Sequence, residues 1–110
     1  MTVDQTNIVD FVTISPESGD CSLTISDHLD WENDHDEHIW KLQEKINSYL
    51  RFVEGGELYE KYPNAKGKRI EIRVIGKFRL NLVASEFYAR AGKVLHDAGF
   101  ELVFEKFNYN

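Results

Sequence analysis

A single cysteine, Cys21, stands in the 110-residue chain, so an internal disulfide is excluded. With only two prolines and seven glycines, the sequence has no low-complexity stretch and no repeat of 20 to 50 residues. No apolar run approaches the roughly 18 residues that a membrane span requires, and the opening MTVDQTN lacks the basic and apolar regions of a secretory signal. These absences predict a cytoplasmic protein with no membrane contact. Bases are also scarce. Thirteen Lys and Arg stand against 19 Asp and Glu, and the net charge of -6 opposes the counterion release that nucleic-acid binding draws on. Neither a GxGxxG nor a GxxxxGK[ST] string occurs, Gly76 stands alone, and no glycine elbow surrounds Ser85. A bound cofactor is therefore not expected, and nothing marks the chain as an enzyme.

What is present is apolar substance in one compact length. Hydrophobic residues make up 42% of the chain, with two Trp, seven Phe and five Tyr. At this length a fold buries roughly two-thirds of the surface its unfolded chain exposes, without help from metal or disulfides. One α+β domain over 1–110 is expected, with 1–7 as a flexible N-terminal arm. Ile8 to Ile14 and Cys21 to Ser26, joined by Pro16-Glu17-Ser18-Gly19-Asp20, read as a β-hairpin. From Asn33 to Glu54 the period becomes helical, with Ile39, Leu42, Ile46, Tyr49, Leu50 and Val53 on one side, Asn33 or Asp34 as the cap, and Gly55-Gly56 as the stop. Glu57 to Tyr62 suggests a short extra turn. Arg69 to Ile75 alternates as a third strand, with Ile70, Ile72 and Val74 inward. Asn81 caps a second helix through Ala98. Phe100 to Phe107 closes the chain as a fourth strand, with Phe100, Leu102 and Phe104 inward and Glu101 and Glu105 set to meet Arg69 and Arg73.

The resulting order, ββαβαβ, predicts a two-layer α+β sandwich: a four-stranded mixed sheet with two helices on one face and the other face open. The last two strands should be parallel, with a right-handed crossover.

The densest chemical signal is Asp27-His28-Leu29-Asp30-Trp31-Glu32-Asn33-Asp34-His35-Asp36-Glu37-His38, with six carboxylates and three imidazoles in twelve residues. His35 and His38 lie one helical turn apart, Asp34 stands four before His38, and Asp27 and His28 could reach them from the preceding loop. These five residues form a candidate divalent-metal site. The spacing is not that of HExxH and there is no cysteine partner. Acidic residues at a helix start also complement the macrodipole and satisfy free amides by about 0.3 to 1 kcal/mol each, so capping is the preferred reading.

Lys66, Lys68, Arg69, Arg73, Lys77 and Arg79 place six bases within fourteen residues. This run reads either as a docking patch for an acidic partner or as a solvated strand edge, the edge being preferred. Trp40 falls on the polar side of the first helix. Either the Trp31 loop or the Tyr59 and Tyr62 segment covers it, the preferred alternative, or it anchors a partner. Cys21 points inward on its strand as a small core residue.

The strings Val9-Asp10-Phe11, Leu23-Thr24-Ile25-Ser26-Asp27-His28-Leu29-Asp30-Trp31, Leu42 to Leu50 (LQEKINSYL) and Ala98-Gly99-Phe100-Glu101-Leu102 resemble a family of small bacterial proteins of unknown function, over nearly the whole chain. TISDHLDW and the Tyr62 to Gly67 turn are the most specific marks. The resemblance implies bacterial origin and a cytoplasmic place, with no ligand or catalytic residue to carry over.

Without a catalytic constellation, the expected function is a non-catalytic protein-interaction module of adaptor or immunity type. It should bind another protein through an exposed aromatic patch at Trp31, Trp40, Tyr59 and Tyr62, and be itself a monomer or weak homodimer. The alternative is metal binding by Asp27, His28, Asp34, His35 and His38. A third reading is a small-molecule cleft whose trace would be the small row Ser85, Ala89 and Gly92.

Overall fold

A computed structural model describes residues 11–107. Strand β1 (Phe11–Ile14) turns back through Pro16 to Gly19 into β2 (Cys21–Asp27), the turn closing on bonds from the Ser15 amide to the Asp20 carbonyl and from the Gly19 amide to the Ser15 carbonyl, both 2.9 Å. Helix α1 (His35–Glu54) follows, then a short helix α2 (Glu57–Lys61), a 3₁₀ turn at Pro63–Ala65, β3 (Ile70–Gly76), α3 (Leu82–Asp97) and β4 (Phe100–Lys106). The expected strand start at Ile8 and the arm at 1–7 lie outside the described residues. Short helix α2 is the one addition to the expected ββαβαβ order.

Caps mark the long helices. The Asp34 carboxylate accepts from the Glu37 amide at 3.1 Å, and the Asn81 side-chain carbonyl accepts from the Ala84 amide at 2.8 Å. Each bond satisfies a first-turn donor that the helix itself leaves free. Between α1 and α2 the backbone reverses at Gly56, whose φ of 86° is left-handed and favours a residue without Cβ.

The sheet runs β1-β2-β3-β4. β1 is antiparallel to β2, while β2, β3 and β4 are mutually parallel, with Cys21, Ile70 and Phe100 in one row and Asp27, Gly76 and Lys106 in another. Both parallel connections step to the next strand in the same direction. Right-handed crossovers then bring α1 and α3 to the same face, and one core unites Leu42, Ile46 and Tyr49 of α1 and Ala84 and Leu95 of α3 with Leu23, Ile25, Ile72 and Val74 of the strands. Each of the Leu, Ile and Val side chains in this core contributes roughly 1.5 to 3 kcal/mol by leaving water. Burial alternates strictly along β2 and β3. On the outer strand β4 only Phe100 is fully buried, and Leu102 and Phe104 are half-buried because one side of that strand has no neighbouring strand among the described residues.

The opposite face carries charge in register. Arg73 donates to Glu71 at 2.7 Å and to Glu105 at 3.1 Å, and Arg69 meets Glu101 at 3.8 Å, the expected pairing of β3 bases with β4 acids. The bond to Glu71, reinforced by Glu105, raises the Arg73 pKa still further. This overturns the reading of the basic run as a strand edge, because β3 is an interior strand. It also breaks the run as a single patch: Lys66 and Lys68 precede the strand, Lys77 and Arg79 follow it, and its seven residues span about 20 Å. No helix among the described residues is long and apolar enough to cross a membrane.

Candidate functional site

Asp27 ends β2 on the core-facing row, so its carboxylate points under the helices instead of into solvent. One oxygen accepts from the Leu29 amide at 3.1 Å; the other lies 2.6 Å from Nε2 of His38, and both side chains are 2% exposed. The second ring nitrogen of His38 donates to the Asp30 carbonyl at 2.9 Å, because a carbonyl oxygen can only accept. Nε2 of His38 and Oδ2 of Asp27 are thus joined by a short hydrogen bond. Trp31 stacks on the imidazole at 3.6 Å with the rings 17° apart, and its carbonyl accepts from the Asn81 amide that caps α3. The segment between β2 and α1 is thereby fastened to both helices.

Two of its other acids, Asp30 and Asp34, bond backbone amides of the turn and of the helix start. Asp30 accepts from the Asn33 backbone amide at 3.0 Å and the Asn33 side-chain amide at 2.8 Å, and these bonds hold its pKa below the ordinary carboxylate range. Close to Asp27 lies the hydroxyl of Tyr88 on α3, buried and without a hydrogen-bond partner among the described residues. Burial first, then the Asp27 charge, pushes the Tyr88 phenol well above its ordinary pKa. The ring is held edge-on to Phe87 and Phe104.

A second feature lies on the outer side of the helix layer. Because α1 and α3 both run against the parallel strands, they lie side by side and point the same way. Between them is a groove of about 400 Å³ lined by Ile39, Gln43, Ile46, Asn47 and Leu50 of α1 and by Phe87, Arg90, Ala91, Val94 and Leu95 of α3. Val94 is 65% exposed on its wall. Trp40, 57% exposed, does not line the groove; it stands about 20° from Asn47 on the helical wheel and about 10 Å nearer the start of α1. Arg90 makes no ion pair, and Gln43 and Asn47 make no side-chain hydrogen bond, among the described residues.

A family model matches residues 1–108. The chain belongs to DUF6572, a family of unknown function. No curated protein and no solved structure matches it.

In this DUF6572 chain the five residues of the expected metal set are dispersed. Asp27 and His38 meet; Asp34 caps α1, His35 leans on Asp36 at 3.4 Å, and His28 is exposed. Among the described residues no group of three or more His, Cys, Asp or Glu could hold a metal ion. The aromatic set does not form one patch either. Trp31 is 3% exposed and belongs to the core, which corrects its reading as a surface anchor. Tyr59 of α2 is half-buried and Tyr62 lies just beyond that helix, which follows the C-terminal end of α1, whereas Trp40 stands in the second turn of α1. The expected cover over Trp40 is likewise corrected, since neither segment hides it. Ser85 and Ala89 are exposed on the flank of α3 away from the groove.

Sequence reasoning missed Gln43, Asn47 and Arg90 as a set. Ile39, Leu50 and Val94 belong by spacing to the apolar faces of their helices, but periodicity cannot tell a residue facing the sheet from one facing the space between two helices. The available signal was the breadth of the two stripes, wider than one sheet contact needs.

Proposed function

We propose that this DUF6572 chain is a non-catalytic bacterial protein of the cytoplasm that binds a protein partner in the groove between α1 and α3, with Trp40 of α1 as a further contact. The carrying observation is the groove's apolar walls with the exposed Val94, and a largely exposed tryptophan, Trp40, stands on the same helix as one of those walls. Tryptophan commonly anchors interfaces, and apolar clefts between helices commonly receive partner segments. The non-catalytic reading is supported by the acid/base pair with the tightest geometry, Asp27 and His38, being shut away from any substrate. The free thiol of Cys21 suits a reducing compartment.

The test is affinity capture from the source organism with the full chain, Val94→Glu, Trp40→Ala and a control, Ser85→Glu, on the other flank of α3. A partner held by the wild type and the control but lost from Val94→Glu and Trp40→Ala is the expected result. Identical capture by all four proteins, or none by any, overturns it.

A further inference from the structure

We infer that the groove receives an extended peptide segment of a partner protein, apolar at alternate positions and carrying one carboxylate. The inference rests on the docking reading above and names its occupant. Its basis is the pattern of polar groups among the apolar walls. Gln43 and Asn47 stand four residues apart on α1, a rise of about 6.0 Å, while alternate residues of an extended strand repeat at about 6.6 Å. Each amide side chain presents one acceptor and two donor hydrogens, matching the free carbonyl and N–H of an extended backbone. Two such side chains in one row can therefore bond every second residue of a peptide lying along α1.

A helical occupant fits less well. Its backbone groups are already paired, so covering Gln43 and Asn47 with it strips water from two amides and returns no backbone hydrogen bond. Arg90 adds the charge requirement. It is the one ionised side chain lining the groove and has no ion-pair partner among the described residues, so an uncharged occupant would desolvate an unpaired guanidinium. From Ile39 to Leu50 the wall runs about 16 Å, enough for about five extended residues. A second copy of this chain is disfavoured by its net charge of -6.

The experiment selects a phage-displayed random heptapeptide library on the full-length protein, with counter-selection on Val94→Glu. The leading synthetic peptide is then measured by fluorescence anisotropy. Enrichment of an acidic residue flanked by alternating apolar residues is expected. Arg90→Glu should weaken that peptide by at least about tenfold, and reselection on this variant should replace the acid with a base. Gln43→Ala and Asn47→Ala should each weaken it several-fold, with the urea midpoint of the protein unchanged.

Enriched peptides with apolar residues at three- and four-residue spacing, abolished by a single central proline, would overturn the extended occupant while leaving groove docking intact. A concentration-dependent dimer in sedimentation, lost in Val94→Glu, would overturn it in favour of a second copy. Absence of enrichment, or enrichment indifferent to Val94→Glu, defeats docking in the groove and this inference together.

Discussion

Oδ2 of Asp27 and Nε2 of His38 lie 2.6 Å apart, each side chain 2% exposed, tying the end of β2 to the first turn of α1. Asp27→Ala leaves the buried imidazole and the Leu29 amide without their partner and should cost about 1 to 3 kcal/mol for each. Asp27→Asn keeps the shape and an N–H that can donate to Nε2, so it should cost only about 1 to 2 kcal/mol. Urea unfolding of the two variants checks both; losses within about 0.5 kcal/mol for each would show that the carboxylate has no part in holding this segment.

Both nitrogens of His38 are engaged, one by Asp27 and one by the Asp30 carbonyl, so coordination of a metal would have to break one of these bonds. Stoichiometric zinc is expected to leave the ring resonances of His38 in place. Joint displacement of the His28, His35 and His38 signals would instead establish the metal reading.

Burial raises the pKa of Cys21, and burial together with Asp27 raises that of Tyr88. The unfolded chain gives up these protons at ordinary values near 8.5 and 10, whereas the folded chain holds them longer. Above about pH 8.5 the unfolded state therefore binds fewer protons, and stability should decline as pH rises. Asp30 acts at the other end: its lowered pKa supplies stability that is present above about pH 4 and fades as pH falls through the folded value. Denaturant midpoints between pH 3 and 11 measure both arms, and a flat alkaline arm is the contrary outcome.

Tyr88→Phe removes a buried hydroxyl that has no partner among the described residues. The variant should gain about 1 kcal/mol and lose part of the alkaline decline. A comparable loss of stability would mean that the hydroxyl is bonded in solution.

Trp31 and Trp40 should separate cleanly in fluorescence. Trp40→Phe leaves the core tryptophan, stacked on His38, with blue-shifted emission that acrylamide barely quenches; Trp31→Phe leaves the exposed one, red-shifted and readily quenched. Protected emission from Trp40 in the isolated protein would remove it from the proposed docking surface.

Element types and boundaries were legible because they follow from local chemistry. Asp34 and Asn81 lie where a short polar chain can cap, Gly56 and Gly99 where the backbone turns left-handed, and Ile70, Ile72 and Val74 at strand spacing. The site was harder to read. Asp27, Asp30 and His38 were visible as a polar cluster, but spacing along the chain could not say that two of them would face each other out of water while Asp34 stayed at a helix end. Trp31 and Trp40 look equivalent in a list of aromatics, and only packing makes one a core residue and the other a surface one.

Periodicity and composition alone determined the α+β class, the ββαβαβ order and the capped amphipathic helices, since burial of alternate or helically spaced residues is a local constraint. Tertiary structure decided that β3 lies inside the sheet, that Asp27 reaches His38, and that α1 and α3 leave a groove carrying Gln43, Asn47 and Arg90. Those outcomes depend on the order of the strands and the separation of two helices. Both are set by how side chains distant in the chain fill shared space, which no local pattern encodes.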